Sequence, residues 1–216
     1  MLPPLNDLIA LLCIDLVLCA GLLRLLSRRH GVTLWAKWTI ALVFVLMWCP
    51  VGSAHLPLVA YVRGISSDLS ISLVVVACLG MYQRLAGAQL GLASDRERNA
   101  TNLVVAAGAL LLYPFALGLG DWDSYRLGWG APGMWAALFA LSIACWGMRL
   151  RLLPMLIAVG MLAWAAGLLE STNLWDYLID PWLAAGAIFQ CLKVAGRKLL
   201  ARFRMALAGG VRPLSG

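Results

Sequence analysis

Residues 5–26 read LNDLIALLCIDLVLCAGLLRLL. Only Asn6, Asp7, Asp15 and Arg24 interrupt an otherwise apolar or small run. A bilayer core of roughly 30 Å is crossed by about 20 helical residues, so this stretch is long enough to span. No Lys or Arg precedes Arg24. The positive n-region of a cleavable signal is therefore missing, and the stretch reads as a retained first span.

The rest of the chain repeats the pattern. Of 216 residues, 62% are hydrophobic and 12% charged, with a mean hydropathy of +0.87. Soluble domains carry about 25% charged residues. The apolar excess falls in blocks at about 5–26, 35–51, 66–83, 101–120, 134–149, 152–170 and 174–194. This predicts an all-α fold, a polytopic transmembrane helix bundle of about seven spans over 1–195. Residues 196–216 are expected to form a basic, amphipathic cytoplasmic tail. The stretch from Gly52 to Ser67, with His55, Pro57 and Arg63, is expected to be an interfacial helix or a re-entrant segment rather than a plain loop. No loop is long enough for a soluble domain, so a hydrophilic catalytic domain would have to come from another chain.

The net charge of +7 does not point to nucleic acid, because the basic residues sit in the short connections. With the N-terminus outside and the C-terminus cytoplasmic, Arg24, Arg28, Arg29, Lys37, Arg84, Arg96, Arg98, Arg149, Arg151, Lys193, Arg197, Lys198, Arg202, Arg204 and Arg212 all lie inside. That is 15 of the 17 basic residues, a bias that decides orientation by the positive-inside rule. Arg63 and Arg126 remain outside. The expected location is the plasma (inner) membrane, with the lipid bilayer as first partner. The basic tail suits anionic lipid, at about 1 kcal/mol per basic residue near the surface.

The outer face gathers carboxylates and aromatics in two segments, Gly118–Gly130 and Glu170–Trp182. Asp68 and Asp176 fall near helix starts, where the positive end of the helix dipole stabilises an anion. Asn173 is a candidate N-cap, with Asp176 three residues on. Asp121, Asp123 and Glu170 instead follow helix ends, where a carboxylate meets partial negative charge. These three, with Trp122, Trp175, Arg63 and Arg126, form the candidate ligand-binding set for a lipid or glycan. Trp and Tyr are also common membrane-interface anchors.

Asp15 lies about ten residues into the first span. An acid at mid-membrane costs about 2.5–3.5 kcal/mol to insert and marks a functional candidate. Tyr113 and Ser142 are expected at similar depth as hydrogen-bond partners. The role is either a proton or cation relay or interhelical glue. Gly118-Leu-Gly-Asp121 matches in letters the GxGD pattern of intramembrane aspartyl proteases, which need two aspartates close enough to share a proton. Depth separates Asp121 from Asp15, so that pairing is not expected.

The six Cys show no CxxC or Cys/His spacing, and no metal site or cofactor is implied. They read as buried, inert thiols. His30 and His55 are expected on opposite faces. Asn99-Ala-Thr101 is a sequon expected inside, hence silent. The leading functional expectation is a small membrane subunit that assembles with other membrane proteins and presents an outer acidic and aromatic cleft to an envelope lipid or glycan. Two alternatives stand beside it: an outer-face enzyme using Asp121, Asp123 or Glu170 on a lipid-linked or glycan substrate, and a small transporter using Asp15.

Overall fold

A computed structural model describes residues 4–27, 31–87 and 94–209. Arg28, Arg29, His30, Arg212 and the end of the expected tail lie outside these residues. The described chain is all-helical apart from one two-stranded hairpin. Its elements are α1 (Leu5–Leu26), α2 (Leu34–Met47), β1 (Pro50–Val51), β2 (Leu56–Pro57), α3 (Leu58–Ser66), α4 (Ile71–Ala86) and α5 (Asp95–Ala116). A 3-10 helix (Ser124–Gly128) leads to α6 (Pro132–Gly147), α7 (Leu152–Ala165), α8 (Leu174–Leu178) and α9 (Pro181–Gly209).

The helices form two packed groups. In the first, α1 packs on α2, α3 and α4, closing small cores around Ile14 and Val59 and around Cys19, Leu23 and Ile40. In the second, α5 lies along α9, and α7 packs on α6 and α8. Its core runs from Ala109 and Leu112 through Leu174, Tyr177 and Leu178 to Leu183 and Ala187. The connecting element is α4, which touches α1 on one side and α7, α8 and α9 on the other.

Much apolar surface stays uncovered. On α2 only Ala36 and Ile40 are buried, while Trp35, Trp38, Leu42 and Val45 are exposed. On α6, Phe139, Ile143 and Trp146 are exposed. Among the described residues, two helices, Leu5–Leu26 and Asp95–Ala116, are long and apolar enough to cross a membrane. Four more are apolar but shorter: Leu34–Met47, Ile71–Ala86, Pro132–Gly147 and Leu152–Ala165. Helix length therefore does not by itself carry the expected seven-span bundle.

Three boundaries differ from expectation. The expected span at 174–194 is broken into α8 and α9 at Ile179 and Asp180. Asp180 Oδ1 accepts from Leu183 N at 2.8 Å, and Pro181 opens α9 at the first helical position, where its missing N–H costs nothing. Asn173 caps only the five-residue α8. Helix α5 begins at Asp95 rather than 101, because the Ser94 side chain accepts from Glu97 N. Finally, α9 runs unbroken through 195, so the basic segment continues the last helix and is not separated by a hinge.

Two helix starts are held by carboxylates from elsewhere in the chain. Asp180, 4% exposed, accepts from Ser70 N at 2.8 Å and from the Ser70 hydroxyl at 2.6 Å through Oδ2. Ser70 in turn accepts from Leu73 N, so the starts of α4 and α9 converge on one buried anion. Both dipoles favour negative charge there. At the opposite end of the bundle, Glu97 accepts from Arg151 N and Leu152 N at 2.8 and 3.1 Å. It thereby caps α7, whose own N-cap, Arg151, supplies no side-chain bond.

Candidate functional site: a groove around Arg63

The segment 52–67 builds one wall of a groove. The hairpin pairs Pro50 with Pro57 and Val51 with Leu56. Its turn uses Gly52 at φ 70° and His55 at φ 49°, and Tyr61 donates to Val51 O at 3.1 Å to hold it against α3. On α3, Val59 is fully buried and Ile65 is exposed, a pattern that lays this short helix across the end of α1. The groove encloses about 1020 Å³. Leu8 and Leu11 of α1, Trp48, Leu56, Pro57 and Ala60 supply apolar lining, and Asp7, Arg63, Asp68 and Glu170 supply the charge.

Arg63 organises that charge. Its Nη1 is 2.7 Å from Asp7 Oδ1, its Nε is 2.7 Å from Asp68 Oδ1 and its Nη2 is 3.1 Å from Glu170 Oε1. A second Nη2 contact to Asp68 Oδ2, at 3.4 Å, completes a two-pronged grip. The planar guanidinium fork suits this arrangement, where a Lys point charge would not. Hydrogen bonding to Asp68, reinforced by Asp7 and Glu170, raises the Arg63 pKa further, so it stays charged at every accessible pH. Three carboxylates thus meet one guanidinium, two more acidic groups than basic ones at the groove. Glu170, whose side chain is 66% exposed, is the most available to a ligand.

The backbone beneath this cluster is strained. Ser67 sits at φ 61°, ψ −171°, a region that is essentially Gly-only and costs about 1–3 kcal/mol. Two of the three non-Gly residues at positive φ among those described, His55 and Ser67, line this groove.

The sequence-predicted residues divide. Arg63 and Glu170 meet. Asp121 is exposed, and among the described residues no hydrogen bond or ion pair ties it to Glu170. Asp123 accepts from Tyr125 N at 2.9 Å and so caps the 3-10 helix. Trp122 packs edge-on against Phe115, with ring centroids 5.3 Å apart, and Arg126 is exposed. Trp175 is buried, its Nε1 donating to Ser124 O at 3.1 Å. Asp176 stands in the first turn of α8, with Asn173 as the N-cap, as expected, whereas Asp68 does not serve the start of α4. Ser70 caps α4, and Asp68 holds Arg63. Asp176 accepts from the Tyr125 hydroxyl at 2.7 Å and from the Ser171 hydroxyl, joining the 3-10 helix to α8. Burial, with that carboxylate beside it, pushes the Tyr125 pKa up to about 12, so Tyr125 remains a neutral donor.

Asp15 also has other partners than expected. It is 0% exposed. Trp48 Nε1 donates to its Oδ2 at 2.8 Å, and the Cys19 thiol reaches Oδ1 at 3.6 Å. Ser142 bonds Leu138 O on its own helix, and Tyr113 packs on the core of the second group. Trp48 lines the groove, so Asp15 stands directly behind the groove wall. It is far from Asp121 in environment, one sealed and one in an exposed turn. Cys49, expected to be buried, is exposed.

Sequence reasoning missed Asp7, His55 and Trp48 as groove residues. The available signal was the local scarcity of basic residues: Arg63 is the only Lys or Arg in the sequence between Lys37 and Arg84. No family model matches the chain, and neither a curated protein nor a solved structure matches it.

Proposed function

We propose that the chain is a multi-pass integral protein of the plasma (inner) membrane, with about seven spans, the N-terminus outside and the basic end of α9 cytoplasmic. It acts as a non-enzymatic subunit of an assembly in envelope lipid or glycan biogenesis. The Arg63 groove, on the outer face, receives an amphipathic ligand such as a lipid or glycolipid headgroup. The membrane part is supported by the uncovered apolar surface. Residues such as Trp35 and Trp38, 83% and 66% exposed, would form patches beyond the few hundred Å² that soluble monomers tolerate. The shorter helices reach the interface by local thinning or flanking residues, at modest cost.

The observation that carries the ligand reading is the pairing, in one groove, of an apolar wall with surplus carboxylate charge over a strained backbone. Ligand sites are mainly apolar with a few convergent polar groups. The carboxylates suit hydroxyl or ammonium donors, and Leu8, Leu11 and Trp48 suit the start of a hydrocarbon tail.

Purification in mild detergent followed by native mass spectrometry tests this. The expected result is a retained lipid, glycolipid or partner chain. Ala60→Trp, which puts a bulky ring into the groove one helical turn from Arg63, should reduce lipid retention several-fold. A strictly monomeric protein with no co-purifying lipid or chain overturns the proposal.

A further inference from the structure

A second cavity, of about 370 Å³, lies between α5, α6 and α7 and shares no residue with the Arg63 groove. Consecutive helices α5 and α6 scarcely touch. Small residues face the gap, Ala107 and Gly108 on α5 and Gly133 and Ala137 on α6. On α6 the lining extends from Gly133 to Leu141, a rise of about 12 Å at 1.5 Å per residue. The space is therefore a slot running along the helices. Its lining is apolar except at one end, where Ser72, the second residue of α4, enters it. Ser72 is 3% exposed, and it supplies the hydroxyl side chain in the lining.

We infer that this slot binds a single hydrocarbon chain of a lipid, such as a fatty acid, with an oxygen at its polar end hydrogen-bonded to Ser72. Three physical arguments select this occupant. Water needs two to four polar partners to be held in a cavity, and the slot offers one. A 12 Å length of helix about 10 Å across fills roughly 900 Å³, more than twice the slot, so a partner helix does not fit. An extended chain lies along the apolar walls, and its carboxyl, ester or hydroxyl oxygen reaches the same end of the bundle as Ser70 and Asp180. The slot opens sideways, since Ala107, Leu111 and Ala137 are exposed, and a chain can enter from a surrounding bilayer.

Photolabelling of the whole protein in phosphatidylcholine nanodiscs tests this, with a C16 fatty acid carrying a diazirine along its chain. Label is expected at Ala107, Gly108 and Leu141 well above the level at Phe139, which is exposed outside the slot. Ala137→Phe should cut slot labelling at least fivefold and leave Phe139 unchanged. Ser72→Ala should cut it by about two- to tenfold, the worth of one hydrogen bond, with no loss of thermal stability. Gly133→Leu is a second filling variant, because a Cβ at Gly133 meets nothing within 4 Å. Slot residues labelled no more than Phe139, or labelling unchanged in both filling variants, would mean annular lipid only and would overturn the inference. The outcome is independent of lipid retention by the Arg63 groove, which Ala60→Trp reports separately.

Discussion

Two carboxylate clusters occupy the same end of the bundle and solve the same problem in opposite ways. At the Asp180 junction one buried carboxylate meets Ser70 N, the Ser70 hydroxyl and Leu183 N. Its donors are neutral, two of them lie at helix starts, and the site is sealed. At Arg63 three carboxylates converge on one guanidinium, the charge does not balance, and the assembly lines an open groove beside a Ser67 backbone held at positive φ. The first arrangement spends its polar groups on holding helices together. The second leaves polar capacity unspent where a ligand can reach it. Residue type does not separate the two; satisfaction of hydrogen bonds does.

Breaking the sealed junction should have the largest effect. Asp180→Ala leaves three donors without an acceptor, and each orphaned buried group costs about 1–3 kcal/mol. A loss of roughly 3–5 kcal/mol is expected in detergent unfolding, with Asp180→Asn losing less because its amide oxygen still accepts. If Asp180→Ala costs less than Arg63→Met, the contrast between the two clusters is wrong. Arg63→Met should rank second, at about 2–3 kcal/mol near neutral pH, because three partly solvated carboxylates then repel one another. The Arg63 guanidinium holds the Asp7 carboxyl below its ordinary value of 3.8, so the stabilisation from that pair is present above that pH and lost as pH falls below it, and the penalty of Arg63→Met should shrink in acid. An Arg63→Met penalty that does not shrink at low pH would remove electrostatics as its cause.

Trp48→Phe should cost about 1–3 kcal/mol, because it leaves Oδ2 of the buried Asp15 without its donor. If Asp15 is glue, Asp15→Asn changes stability by a similar amount and nothing else. Loss of coupled proton or ion movement in Asp15→Asn would instead favour the relay. Tyr125→Phe should cost about 1 kcal/mol, one hydrogen bond to Asp176. It also carries a pH signature. The folded-state pKa is raised from 10.0 to about 12. The neutral form is therefore favoured on folding, and its stabilisation is fully present below pH 10 and lost as pH rises towards 12. The wild type should lose stability across that window more steeply than Tyr125→Phe.

Some of this was legible in residue order. The all-helical class followed from apolar blocks of span length, and Arg63 with Glu170 were both in the candidate set. Asp180-Pro181 was a readable helix start, since Asp caps well and Pro suits the first helical position. It was overlooked because the apolar run continues past it. Ser94 followed by Glu97 was likewise a readable start for α5. That Glu97 would reach across to α7 was not, since the acceptor's partners are 54 and 55 residues away. The same limit hid Asp7, which lies 56 residues from Arg63.

Composition and block length determined an all-helical chain, because these depend on solvent preference along the chain. Which acid holds a helix start, which one grips Arg63 and which stays in solvent was decided only by the tertiary structure. Asp7, Asp68, Asp176 and Asp180 are chemically equivalent in sequence, and only long-range packing chooses the donors each one meets. The slot beside Ser72 belongs to the same class. A space between helices exists only once the helices are packed, and no local pattern records it.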